Sequence, residues 1–205
     1  MRFIVGITVF FFFFSCNSPL EEAATNKLGL KTLPLKTKHS GEPNLFRTSS
    51  GQIYLSWIES INDSTDVLQY STLNDQSWTI PLEIARGNNW FVNWADFPQI
   101  VISEGESFVA AHWLQKSDLG TYDYDVRVSI SEDKGQNWTK PFILHKDNIA
   151  AEHGFVSMIP HKEGKVFATW LDGRNTKNKD DEGVRGAMTL RAAEFNAKGQ
   201  VFEAV

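Results

Sequence analysis

The chain has 205 residues with Lys+Arg 20 against Asp+Glu 25, a formal net charge of −5. That balance excludes a basic nucleic-acid-binding surface as the default, and no nucleic-acid partner is expected. A hydrophobic share of 41% with 22% charged residues is that of a globular chain. The single cysteine excludes an intrachain disulfide framework and any multi-cysteine metal centre.

The chain opens with Met1-Arg2, an apolar run over residues 3–14 and then Ser15-Cys16. A basic start, a short apolar core and a small residue before the cut describe a secretory signal over residues 1–15. The run is too short to span a bilayer, which takes about 20 apolar residues. Phe14-Ser15-Cys16 resembles the lipobox of bacterial lipoproteins, which implies that Cys16 is lipidated and becomes the first mature residue. Asn17 after the cysteine resembles an outer-membrane rather than an inner-membrane sorting signal. A cell-envelope lipoprotein, held to the membrane through its lipid alone, is the expected location. Residues 16–40 mix Pro, Thr, Lys and Glu without a period and read as a tether.

Three stretches of the remainder answer to one another, each a strand, a Gly-containing turn and a second strand ending in Trp57, Trp113 or Trp170. The tryptophans recur at intervals of 56 and 57 residues. After each comes a polar loop and a further alternating run, at residues 67–71, 126–130 and 187–191. A fourth strand is expected near residues 80–85, 142–145 and 200–205, with almost no helix. Four short strands at this period predict an all-β fold with three propeller blades, about residues 41–90, 91–150 and 151–205.

The turn after the third strand of the second unit carries the sharpest motif. Ser131, Asp133, Gly135 and Trp138 fit S-x-D-x-G-x-x-W, the Asp box. An Asp side chain there accepts local backbone N–H groups, and Gly supplies a positive-φ position. Residues 71–78 hold the Ser and Trp at the same spacing without Asp or Gly, and residues 193–199 are more degraded. Repeat and motif together resemble the sialidase (neuraminidase) superfamily of six-bladed propellers, over about residues 41–205. The resemblance implies a sialidase-like exo-glycosidase acting on terminal sialic acid or a related sugar. It also implies that further blades lie downstream and that these 205 residues alone are inactive. The alternative is a non-catalytic propeller that binds glycan or protein.

Consecutive hairpins turn at alternate ends, so the Asp boxes occupy one propeller face. The loops between second and third strands, and those between blades, occupy the other. The resemblance places the site on the second face. There, Asp172 and Arg174 followed by Asp180 and Asp181 resemble a sialidase segment, implying Arg174 as a lining residue and Asp180 or Asp181 as general acid/base. The competing reading is a solvated charged loop with an Asp172–Arg174 pair. Two features depart from the family: Gly41 stands where its first arginine is expected, and the Asp-bearing loop lies in the third unit rather than the first. Trp90 and Trp94, in the connector before Asp96, suit sugar rings or, alternatively, pack between blades. Glu152-His153 opens the third blade at the place Asp96 and Glu42 open the other two, so Asp96 and His153 are further substrate-binding candidates. No histidine or cysteine spacing points to a metal, and no phosphate loop or cofactor motif is present.

Overall fold

A computed structural model describes residues 32–179 and 182–204; Cys16, the apolar start, Asp180 and Asp181 lie outside them. Residues 34–205 make one compact unit. Its three antiparallel sheets are β1 (Ser40–Arg47), β2 (Ile53–Asn62), β3 (Thr65–Asn74), β4 (Ser77–Trp78) and β5 (Leu82–Gly87); then β6 (Gln99–Ile102), β7 (Val109–Lys116), β8 (Tyr124–Ser131) and β9 (Phe142–Ile143); then β10 (His153–His161), β11 (Lys165–Asp172), β12 (Thr189–Phe195) and β13 (Val201–Ala204). Each sheet runs first strand to fourth in chain order, with β4 and β5 both on β3, so each is one propeller blade. Two 3-10 turns are the only helical pieces among the described residues.

Alternation along the strands builds two seams. Val109, Ala111 and Trp113 of β7 face blade 1, against Ile58, Leu68 and Tyr70. Tyr124, Val126, Val128 and Ile130 of β8 face blade 3, against Met158, Val166, Ala168 and Trp170. First strands of neighbouring blades touch at the inner edge, β1 with β6 and β6 with β10. Gln99 ties two of them: its side-chain amide donates to Met158 O at 3.0 Å and accepts from Met158 N at 2.7 Å.

The Asp box closes as its residue types demand. Asp133 Oδ1 accepts Asn137 N at 2.8 Å, and Ser131 Oγ accepts Gly135 N at 2.7 Å. Gly135 has φ 85. Its lack of a side chain also admits blade 1, since a Cβ there would stand 2.0 Å from Tyr70 Oη. The matching turn of blade 1 corrects the sequence alignment. Gln69 pairs with Trp57 as Arg127 pairs with Trp113, so Ser71 matches Ser129 and Leu73 takes the Ser131 position. Ser71 Oγ donates to Thr79 O and Ser129 Oγ to Thr139 O, both at 2.7 Å. Blade 1 thus keeps the tryptophan but has a turn two residues shorter. In blade 3, Asn196 does the aspartate's work, its Oδ1 accepting Lys198 N and Gln200 N.

A β-bulge marks the start of the first strand in blades 1 and 3, placing Glu42 and Phe155 at positive φ. Register equates Gly41, Asp96 and Gly154, so the acidic residues at the blade entrances are not level with one another.

Candidate functional site

The ends of β7 and β11, the starts of β8 and β10, and the connectors between blades meet on the face opposite the Asp box. Blade-to-blade connectors are pinned there by backbone bonds: Phe91 N to Leu114 O, Tyr124 N to Ala151 O and Gly173 N to Glu152 O. Between blades 2 and 3 opens a cavity of about 410 Å³. Tyr122 and Asp123 line it from the β7–β8 loop, Glu152 from the β9–β10 connector, and Thr176, Lys177 and Arg185 from the β11–β12 loop.

These walls are fixed from within. Lys177 Nζ pairs with Asp123 Oδ1, whose other oxygen accepts Gly120 N at 3.1 Å. Lys116 caps the same loop at Thr121 O, 2.6 Å away. Tyr124 donates its hydroxyl to Glu152 Oε1 at 3.2 Å, while its ring stacks on Phe91 with centroids 4.1 Å apart. Burial, then the charges of Glu152 and Asp96, push the Tyr124 phenol well above its ordinary range. Asp96 is enclosed beside this pair, accepting Phe155 N at 2.8 Å. Its carboxyl is raised, by burial first and by the Glu152 charge as well. Gly154 is what lets Asp96 in: a Cβ there would stand 2.3 Å from Asp96 Oδ2.

The seam between blades 2 and 3 also holds a buried polar cluster whose linkage the linear chain does not reveal. Asp172 is fully buried and receives Arg174 Nε at 2.7 Å, Arg174 Nη2 at 2.6 Å and Trp170 Nε1 at 2.9 Å. Burial alone would raise this carboxyl, but the bonds from Arg174 and Trp170 hold it well below the usual carboxylate range. Asp147 bridges two histidines, meeting His145 Nδ1 at 2.8 Å and His153 Nε2 at 2.9 Å. It also meets Arg174 Nε at 3.2 Å. The two imidazoles stack with centroids 3.6 Å apart and planes 5° from parallel.

Ligand atoms of Asp125, His145 and His153 lie within 4.8 Å of one another, as do those of Asp147, His153 and Asp172. His153 Nδ1 faces Tyr124 O and Ala151 O, and its Nε2 faces Asp147. Arg174 and Trp170 occupy the Asp172 oxygens. Hydrogen bonds and ion pairs tie the cluster together, with Asp147 on both histidines and Asp172 on Arg174 and Trp170.

The sequence candidates separate accordingly. Asp172 and Arg174 are held together in the network, not displayed on a solvated loop. His153 is wholly enclosed there, in the seam between blades, so it presents no surface to a sugar. Trp90 packs on Trp113 with centroids 5.4 Å apart, whereas Trp94 is 85% exposed. The packing reading thus holds for Trp90, while Trp94 stands outside the packed seam. Glu152 stands on the cavity wall, and its signal in the chain was the acidic residue just before the third first strand.

No protein-family model matches the chain, and no curated protein sequence matches it. Solved structures do resemble it in fold. The α-L-arabinanase of Penicillium chrysogenum, solved with arabinobiose, superposes with a TM-score of 0.53 at 15% identity, over 80% of this chain and 50% of that one. The GH93 α-L-arabinofuranosidase of Fusarium graminearum, also solved with arabinobiose, gives 0.53 at 11% identity, over 86% and 53%. The chain thus spans about half the length of these glycoside-hydrolase propellers. Its three blades are an all-β partial propeller of the kind on which glycosidases are built.

Proposed function

We propose that the intact protein is a cell-envelope exo-glycosidase of the sialidase-like kind, releasing a terminal sugar at the cavity between blades 2 and 3. The observation that carries this reading is Glu152, a carboxylate on the wall of a 410 Å³ cavity, with the enclosed Asp96 and the Tyr124 hydroxyl behind it. Glycosidic hydrolysis needs a carboxylic acid to protonate the leaving oxygen and a second group on the opposite face of the sugar, a carboxylate in most glycosidases and a tyrosine in sialidases. In this reading Glu152 is the carboxylate that activates water or steadies positive charge. The proton comes from Asp180 or Asp181, borne by the loop that contributes Lys179 and Arg185 to the cavity. Trp94 offers an exposed aromatic face for a sugar ring. The bound arabinobiose of the two fungal enzymes supports a carbohydrate as the ligand class. Cys16 carries the lipid that fixes the protein to the outer membrane.

One observation favours the binding-only alternative: both oxygens of the buried Asp172 are held by Arg174 and Trp170. Kinetics on the full-length protein separates the two readings. Asp180→Asn should cut turnover of glycosides with poor leaving groups and spare fluorogenic ones. Glu152→Gln should cut both by about 100-fold or more. Sugar binding without turnover in the wild type selects the alternative.

A further inference from the structure

His145 is buried at 4% exposure, yet among the described residues its Nε2 has no hydrogen-bond partner. Its Nδ1 lies 2.8 Å from Asp147 Oδ1. An ionised carboxylate only accepts, so Nδ1 carries the proton and the neutral ring presents a bare lone pair at Nε2. That lone pair faces another acceptor. Asp125 Oδ1 stands 3.5 Å away, beyond the roughly 2.9 Å of a good N–H···O bond. Asp125 is itself enclosed, at 7% exposure, and its second oxygen takes Arg127 Nη2 at 3.3 Å, which leaves Oδ1 to His145. Two acceptors set this close call for a positive charge between them. The 3.5 Å gap matches the edge of a tetrahedral shell, about 3.4 Å for metal–ligand bonds of about 2.0–2.1 Å. Asp147 then has the part of the carboxylate that fixes the tautomer and ring of a ligating histidine from its far nitrogen. His153 lies flat on the same ring with centroids 3.6 Å apart, while its own nitrogens meet Tyr124 O, Ala151 O and Asp147.

We propose that His145 Nε2 and Asp125 Oδ1 hold a divalent transition-metal ion of the zinc class, where β8 meets the connector into blade 3. Both residues line a cavity of about 240 Å³, with Ser117, Asn148 and Ile149 also on its wall. This cavity shares no lining residue with the one that carries Glu152. It gives the ion an entry path and leaves its remaining positions to water or to a donor atom from a small ligand. An imidazole beside a carboxylate suits zinc, whereas calcium and magnesium take oxygen donors. The ion clasps the connector to the start of β8, from which Asp125 comes. Spacing along the chain gives no hint of the pair, because only the packing of the β9–β10 connector against β8 brings the two residues together.

Calorimetric titration of Zn²⁺ into the untagged full chain, stripped of metal with a chelator and held near neutral pH, tests the site. Saturable binding is expected, and His145→Gln and Asp125→Asn should each weaken it by about 10-fold or more. His161, at the far end of β10 and 3.0 Å from Glu194, is a histidine–carboxylate pair outside the seam, so His161→Gln should leave the affinity unchanged. Absence of binding, or binding that persists in both seam variants, overturns the proposal. Should His145→Gln fail to fold, the imidazole ¹⁵N resonances of the wild type decide. Zn²⁺ must shift the His145 Nε2 signal, and an Nε2 that keeps a proton with and without zinc refutes the site. None of these readouts involves a sugar, so failure here leaves the reading of Glu152 untouched, and the converse holds.

Discussion

Gly154 shows how one absent side chain sets the site. It lets Asp96 and Tyr124 close on the bulged start of β10, and a methyl group there would overlap a carboxylate oxygen. Gly154→Ala should therefore cost about 1–3 kcal/mol of stability in denaturant unfolding, and a neutral effect would contradict the packing described. Asp172 makes the opposite point, since its loss strands buried donors on Trp170 and Arg174. Asp172→Ala should cost about 3–5 kcal/mol, well beyond an exposed ion pair, which is worth about 1 kcal/mol or less. Loss of under about 1 kcal/mol would return Asp172 and Arg174 to the solvated-loop reading. The pair was visible in the chain as a short acidic-basic turn. Its burial was not, because burial depends on Trp170 and Asp147, and Asp147 belongs to a different blade's connector.

At the level of elements, the tryptophan spacing carried most of the information. Trp57, Trp113 and Trp170 hold equivalent places within second strands that run on past them, to Asn62, Lys116 and Asp172, and a third and a fourth strand follow in each blade. The misaligned first turn has a plain cause. Ser71 and Trp78 match the Asp-box spacing by accident, because the hairpin is shorter and Ser71 serves a Thr79 bond that the motif does not describe. Only strand register exposes that. Gly135 is the element's most sensitive point, combining φ 85 with the approach of Tyr70. Gly135→Ala should lower the melting temperature by several degrees, more than Gly105→Ala at φ 72, where nothing stands within 4 Å of a new Cβ. Equal effects would show that conformation alone matters and that the Tyr70 contact contributes nothing.

For the molecule as a whole, the face was legible and the site on it only partly so. Alternating hairpins dictate which loops share a face, and the cavity does lie among those loops. Which side chains meet there follows from how blades 2 and 3 dock, and docking is set by side chains far apart in sequence. The enclosed His145–His153 stack is the clearest case, since seven residues of connector separate two rings that end in van der Waals contact. Trp94 stands apart from this enclosed network, fully offered to solvent, which makes it the natural optical probe of sugar binding.

The central claim is that the face bearing Glu152 and Trp94 takes a sugar. A tryptophan-fluorescence titration with arabinobiose and with a sialyl disaccharide, on wild type, Trp94→Ala and Glu152→Gln, tests it most directly. The account predicts a saturable change with at least one of them. That change should be lost in Trp94→Ala and weakened in Glu152→Gln, with thermal unfolding followed alongside because Glu152 also accepts the Tyr124 hydroxyl. Saturable binding unaffected by both substitutions would place the sugar elsewhere and contradict the account.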